Sequence, residues 1–271
     1  MAVFETKFFS ESLLQDVTVS VILPLPTSSN MEFGDAIQYP GQKQKYQVIW
    51  LIPTGTADHS KNVRSSRIEE YAKIHQVAVI TPNLHNSLGF NLPHGVEYFD
   101  FLTRELPTIM RSIYPISSRR EDNFIGGASN GGFTGYMTAL RNPHQYAAAF
   151  SIGSFLDIRK CRDNKHAKFW YEKVSASLFG ENDQYYDPHV HDTKTLAEDL
   201  AASGKEQPKF YSVLGFEDPY YPEAVGPTKE ISKILKDMTV IEEHGFHDWD
   251  FWDPQLRKVL EWLPLKRGFV E

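Results

Sequence analysis

The feature that most constrains the fold of this chain is a glycine-rich stretch, Gly127-Ala-Ser-Asn-Gly131, with Ser129 at its centre. It fits the G-x-S-x-G pattern, in which a serine stands on a sharp turn between a strand and a helix. Strand and helix approach so closely there that the positions two before and two after the serine tolerate little more than a hydrogen atom. The flanking residues agree with this pattern, because residues 123–126 resemble a buried strand and residues 132–141 resemble a helix.

Strand and helix patterns alternate along most of the chain. Strands are predicted at residues 3–9, 16–23, 46–52, 77–81, 123–126, 147–152, 209–214 and 238–243. Helices are predicted at residues 63–74, 96–114, 132–141, 164–178, 193–203, 223–236 and 254–263. The first two strands favour an antiparallel pair, and helices alternate with strands from the third onward. This alternation predicts an α/β fold with an eight-stranded, mostly parallel sheet and helices on both faces.

Length and composition favour one large domain. The chain has 271 residues, of which 41% are hydrophobic, enough for a single α/β core over residues 1–271. Residues 153–207 lack strand patterning and contain many aromatic side chains. We therefore predict that this segment is a small cap inserted into the sheet topology.

Charge and cysteine content restrict the partners and the compartment. A net charge of −7 argues against nucleic acid or an anionic membrane surface as a partner. Cys161 is the single cysteine, so no internal disulfide is possible and we interpret it as a structural thiol. Neither a signal peptide nor an apolar run of 18 residues is recognisable, which predicts a cytoplasmic protein. The sequence leaves open whether the protein is a monomer or a homo-oligomer.

Three polar turns follow three strands of the predicted sheet. Ser129 follows the fifth strand, residues 215–218 follow the seventh with two acids, and residues 243–248 follow the eighth with two histidines. The carboxyl ends of parallel strands meet at one edge of a sheet, so a serine, an acid and a histidine are expected together there. Their order along the chain is that of α/β-hydrolases and differs from that of chymotrypsin and subtilisin.

The sequence resembles the esterase D-like branch of α/β-hydrolases, and most closely the bacterial tributyrin esterases. The matching stretches are residues 124–132, 215–218 and 245–252, together with Glu105-Leu-Pro107. The resemblance covers nearly the whole chain and implies an α/β-hydrolase fold and serine carboxylesterase activity. It also implies that Ser129 is the nucleophile, Asp218 the acid and His247 the base. Glu217 and His244 are the neighbouring alternatives for the acid and the base.

The chemistry of such a site sets further expectations. A serine hydroxyl needs an adjacent base, and the acid fixes the tautomer of that base. The backbone N–H of Asn130, with one from Gly55 or Thr56, is expected to stabilise the oxyanion. Esterases of this branch usually have a His-Gly pair where this chain has Thr54-Gly55, which leaves the shape of that loop open. No metal or organic cofactor is required.

The natural ester and its acceptor stay open at the level of sequence. The cap mixes aromatic and charged side chains, which favours a small closed pocket and short acyl groups over a lipase surface. We expect four residues near a small-molecule ester: His85, Phe155, Trp170 and Trp249. Acetylated or feruloylated carbohydrates are alternative substrates, acyl transfer to an alcohol is an alternative reaction, and a non-catalytic binding protein is the third class considered.

A pair of histidines in the cap, His189 and His191, lies between Asp187 and Asp192. Such residues can bind metal ions, but their spacing matches no known site. We therefore interpret the pair as part of a solvated loop and predict no metal site.

Overall fold

A computed structural model describes residues 1–26, 32, 39–41 and 43–270 of the protein. In these ranges the strands are β1 (Ala2–Ser10), β2 (Gln15–Leu23), β3 (Val48–Ile52), β4 (Ala78–Pro82), β5 (Asn123–Ala128), β6 (Ala148–Ile152), β7 (Lys209–Gly215) and β8 (Met238–Glu243). They form one eight-stranded sheet in the order β1-β2-β4-β3-β5-β6-β7-β8. Strand β2 runs antiparallel to β1 and β4, and the remaining pairs are parallel. The predicted α/β sheet is confirmed.

Helices connect the strands on both sides of the sheet. The α-helices within the described residues are α1 (Lys61–Ser65), α2 (Ile68–His75), α3 (Tyr98–Asp100), α4 (Leu106–Ile113), α5 (Asn130–Arg141), α6 (Lys168–Phe179), α7 (Pro188–His191), α8 (Thr193–Ala202), α9 (Tyr221–Ile231) and α10 (Trp249–Trp262). None of the helices in this part of the chain is both long and apolar enough to cross a lipid bilayer.

Two predicted helices differ from the structure in their continuity. The helix expected at residues 63–74 is divided into α1 and α2, because Ser66 is extended (φ −132°, ψ 172°). Its hydroxyl group donates to the carbonyl of Asn62 and accepts the N–H of Ile68, which closes one helix and opens the next. The helix expected at residues 96–114 contains a π-helical turn, Phe101–Glu105, between α3 and α4.

The hydrophobic core has one layer on each face of the sheet. Along β3, Trp50 packs into one layer, whereas Ile49 and Leu51 pack into the other. Successive side chains of a strand point to opposite faces, so a strand covered on both sides must be apolar throughout. All five residues of β3 are buried, which explains the continuous apolar run that predicted this strand.

Residues 153–208 connect β6 to β7 and contain helices but no strand. Helix α8 of this segment packs against α5 and α9, so it covers the sheet as an ordinary crossover helix does. Helix α6 and the turn before it contribute side chains to the cavity described below. The interpretation of residues 153–207 as a cap stays a prediction. Helix α6 is the part of the segment that favours it, because side chains of α6 line the cavity.

Candidate active site

Ser129 stands between β5 and α5 on a strained turn. Its backbone has φ 54° and ψ −126°, a conformation that non-glycine residues rarely adopt. A Cβ atom on Gly127 or on Gly131 would lie 2.3 Å from the carbonyl oxygen of Ile52 in β3. Both positions must therefore be glycine, as the steric argument from the sequence predicts.

The side chain of His247 lies between Ser129 and Asp218. Its Nε2 atom is 3.0 Å from Oγ of Ser129, and its Nδ1 atom is 2.6 Å from Oδ2 of Asp218. Since a carboxylate can only accept, Nδ1 carries the proton and Nε2 of the neutral ring can accept the serine proton. The N–H of Tyr220 donates to the other oxygen of Asp218 (2.8 Å). The structure thus places these three side chains in the relation that proton transfer from the serine requires.

Two aromatic rings fix the orientation of the His247 imidazole. Tyr220 meets it edge-on with ring centres 4.4 Å apart, and Trp252 does so at 4.8 Å. Gly153 allows this packing, because a Cβ atom there would lie 3.1 Å from Nε1 of Trp252 and 3.3 Å from Oδ2 of Asp218. Gly153 also has φ 58°, which favours glycine.

A second histidine–carboxylate pair lies next to the first. Nδ1 of His244 is 2.6 Å from Oε1 of Glu217, and the N–H of Gly245 donates to Oε2 of Glu217 at 2.6 Å. The hydrogen bond from His244 is the main cause that lowers the pKa of Glu217, followed by the bond from Gly245. The His244 side chain is 88% exposed, whereas that of His247 is 15% exposed. Only the His247 pair is joined to Ser129.

The loop after β3, residues 54–56, lies beside Ser129 and is called the oxyanion loop below. Asn130 is the first residue of α5, so its N–H has no acceptor within the helix. A Cβ atom on Gly55 would lie 2.5 Å from Nδ2 of Asn130, so glycine allows the loop to approach the turn that carries Ser129. The N–H of Thr56 already donates to Oδ1 of Asn86 (3.1 Å). This corrects the sequence-based expectation, because Thr56 is not a free alternative to Gly55.

A cavity of about 300 Å³ opens beside Ser129. Phe155 and Trp170, two of the four residues expected near the substrate, lie in its wall. Cys161, 2% exposed, also lines the cavity, and burial raises the pKa of its thiol. A thiol that stays protonated is a poor nucleophile, which agrees with a structural role.

Three further aromatic residues of this wall were not predicted from the sequence: Phe169, Tyr220 and Trp252. Phe169 lines the cavity although it is 69% exposed. Tyr220 follows Asp218 by two positions and Trp252 follows His247 by five. Their closeness along the chain to Asp218 and His247 was the signal that could have placed them in the wall.

His85 and Trp249 were also expected near the substrate, but neither lines the cavity. The expectation was wrong for both residues. The left-handed backbone of His85 (φ 49°) carries its exposed side chain against the ring of Tyr98. Trp249 packs edge-on against Trp252 with ring centres 5.4 Å apart, and it is Trp252 that reaches the cavity.

The two cap histidines have separate surroundings. Nδ1 of His189 is 2.7 Å from Oδ2 of Asp199 at the surface. His191 is buried against the rings of Phe90 and Phe179. Among the residues that the structure describes, no three His, Cys, Asp or Glu side chains are grouped as metal ligands.

Known proteins are similar to this chain over nearly its whole length. The family model "Esterase: Putative esterase" matches residues 10–263. An acetyl esterase of Caldicellulosiruptor saccharolyticus is 26% identical over 278 residues, covering 97% of this chain and 98% of that protein. The fluorophosphonate-binding serine hydrolase F (FphF) of Staphylococcus aureus has a TM-score of 0.81 and 25% identity, covering 97% of this chain and 98% of its own.

A second solved structure has the same fold. The S-formylglutathione hydrolase FrmB of Staphylococcus aureus has a TM-score of 0.78 and is 24% identical, with 97% of this chain and 98% of its own covered. Together with the sheet order, these similarities establish the α/β-hydrolase fold.

Proposed function

The chain belongs to the Esterase family of carboxylic ester hydrolases, and we propose that it hydrolyses short-chain acyl esters. The reaction proceeds through an acyl-enzyme on Ser129. The observation that carries the proposal is the continuous hydrogen-bonded series from Ser129 through His247 to Asp218, with distances of 3.0 Å and 2.6 Å. In this role Ser129 is the nucleophile, His247 the general base and Asp218 the residue that orients the base.

In the acylation step, Oγ of Ser129 attacks the carbonyl carbon of the ester while its proton moves to Nε2 of His247. The carbonyl oxygen becomes an oxyanion in the tetrahedral intermediate. When this intermediate collapses, the bond to the leaving alcohol breaks and His247 returns the proton to that alcohol. Asp218 stays ionised throughout and stabilises the imidazolium that forms. The products of this step are the free alcohol and an acyl group on Ser129.

The oxyanion is stabilised by backbone N–H groups, for which Asn130 and Gly55 are the proposed donors. Asn130 offers an N–H at the start of α5, where the helix dipole also favours negative charge. Gly55 lies against the Asn130 side chain, so both residues border the space in front of Ser129. Each such donor typically contributes about 3 kcal/mol to transition-state stabilisation.

Deacylation repeats the step with water in place of the alcohol. His247 removes a proton from the water molecule, whose oxygen attacks the acyl carbon, and then delivers that proton to Oγ of Ser129. The carboxylic acid product is released, and Ser129 regains its free hydroxyl group. Every proton in both steps passes through Nε2 of His247, so the cycle requires no further acid or base.

The proposed short acyl chain rests on the size and lining of the cavity. About 300 Å³ is at the lower end of the range for ligand sites. The rings of Phe155, Trp170, Tyr220 and Trp252 bound this space. A methylene group gains about 0.8 kcal/mol only where apolar wall receives it. The relative named acetyl esterase further supports a small acyl group.

The test is a series of p-nitrophenyl esters with acyl groups of two to twelve carbons. We expect kcat/KM to rise from acetyl to about butyryl and then to fall. Measurements with added alcohol acceptors show whether water or an alcohol takes the acyl group. A maximum at eight carbons or beyond, with activation at a lipid interface, would refute the short-chain proposal.

A further inference from the structure

The turn that follows β4 is held in a strained conformation. Three residues of this turn have left-handed backbones: His85 (φ 49°), Leu88 (φ 55°) and Gly89 (φ 71°). Ser87 fixes the turn, since its Oγ donates to the carbonyl of Leu84 (2.7 Å) and accepts the N–H of Gly89 (3.1 Å). Such strain persists only where surrounding contacts maintain it, and it is concentrated at functional sites. The turn therefore holds the backbone of Asn86 in place, and with it the position of the Asn86 side chain.

Asn86 binds the oxyanion loop at the peptide group between Gly55 and Thr56. Its Oδ1 accepts the N–H of Thr56 at 3.1 Å, and the hydroxyl group of Thr56 donates to the carbonyl of Gly55 at 2.6 Å. The carbonyl of Gly55 and the N–H of Thr56, which belong to one peptide group, are therefore both hydrogen-bonded. Thr56 has φ 59°, an unfavourable conformation for a β-branched residue, and these two hydrogen bonds maintain it.

The same oxygen of Asn86 also contacts the wall of the cavity. Nε1 of Trp170, in α6, donates to Oδ1 of Asn86 over a long distance of 3.4 Å. Trp170 and Thr56 both line the cavity. One carboxamide oxygen thus joins three segments that are far apart in the chain: the turn after β4, the oxyanion loop and α6.

We propose that Asn86 is a positioning residue for oxyanion stabilisation. By taking the N–H of Thr56, it fixes the peptide plane next to Gly55 and so sets the direction in which Gly55 presents its own N–H toward the reacting carbonyl. Donors aligned before the reaction need no reorganisation when negative charge develops. Without Asn86, the loop loses the acceptor that maintains its conformation, and a misplacement of about 1 Å can cost on the order of a hundredfold in rate.

The proposal rests on ester hydrolysis at Ser129, and it is tested with Asn86→Leu, which removes the acceptor at similar size. Asn86→Ala is the second variant if the leucine variant does not fold. His85→Asn is the matched control: it changes the exposed neighbour in the same turn, and asparagine tolerates a left-handed backbone. The readouts are kcat and KM on p-nitrophenyl butyrate, the melting temperature, and inhibition by a short alkyl trifluoromethyl ketone, whose adduct with the serine carries an oxyanion.

In Asn86→Leu we expect kcat to fall by about tenfold to a hundredfold, with KM within about threefold of wild type. The affinity for the trifluoromethyl ketone should fall by a factor similar to that of kcat, while His85→Asn stays close to wild type in both. An unchanged or raised kcat would overturn the proposal, as would a lower kcat with unchanged affinity for the ketone. Absence of esterase activity in the wild type would instead refute the proposed function itself.

Discussion

Glu217 and Asp218 are adjacent in the chain, yet their carboxylates bind two different histidines. Glu217 contacts Nδ1 of His244 and Asp218 contacts Nδ1 of His247, each at 2.6 Å. Glu217 also accepts the N–H of Gly245, so it fixes the loop that carries His247. One carboxylate therefore contacts the loop before His247, and the other contacts the His247 ring itself.

This difference predicts unequal effects of the two amide substitutions. Asp218→Asn leaves the imidazole in the wrong tautomer, and we expect kcat to fall by thousands-fold or more, as it does by about 10⁴ in chymotrypsin-type proteases. Glu217→Gln keeps an acceptor for Gly245, so kcat should stay within about tenfold of wild type. Steady-state kinetics on p-nitrophenyl butyrate compares the two. A larger loss in Glu217→Gln would transfer the role of the acid to Glu217.

The two histidines give a second matched pair. His247→Ala removes the imidazole that is hydrogen-bonded to Ser129, so we expect a loss of kcat on the order of a millionfold, as for the base of subtilisin. His244→Ala removes an exposed side chain whose hydrogen bond with Glu217 lies at the surface, where such contacts contribute little to stability, and its kcat should change by less than about threefold. Similar losses in both variants would contradict the assignment.

Buried His191 predicts a loss of stability in mild acid. Burial is the main cause that lowers its pKa below the usual value, and the positive charge of Arg141 acts in the same direction, whereas the carbonyl and charge of Asp187 oppose it. The unfolded chain, with a histidine pKa of about 6.5, then binds the proton more readily than the folded chain. The stabilising contribution of neutral His191 is present above pH 6.5 and is lost as pH falls below that value.

Thermal unfolding at pH values from 7.5 to 5 checks this expectation. His191→Asn cannot titrate in this range, so its melting temperature should fall less steeply with decreasing pH than that of the wild type. An identical slope in the two proteins would show that His191 makes no contribution to the acid sensitivity.

The central strands were predictable from sequence because buried parallel strands require continuous apolar runs. Residues 77–81, for example, agree with β4 to within one residue, and every residue of β4 is buried. The grouping of Ser129, Asp218 and His247 was predictable because each residue follows a strand that ends at the same sheet edge. The break at Ser66 and the π-helical turn were not, since both depend on local hydrogen bonds that compete with an otherwise helical pattern.

Asn86 shows why part of the site could not be predicted. Its contacts with Thr56 and Trp170 join residues 30 and 84 positions away, and no periodicity or spacing connects such distant segments. The neighbouring His85 was expected in the pocket because it lies in a loop at the carboxyl end of a strand, where open α/β sheets bind their ligands. The left-handed backbone of that residue, which the sequence does not reveal, turns it to the surface instead.

A fluorophosphonate probe tests most directly whether Ser129 forms the covalent intermediate. Wild-type protein treated with the probe should gain one adduct, which peptide mass spectrometry assigns to Ser129, and esterase activity should be lost in proportion to labelling. Ser129→Ala should remain folded, gain no adduct and lose activity by on the order of a millionfold. An adduct on another residue, or activity retained in Ser129→Ala, would contradict the account.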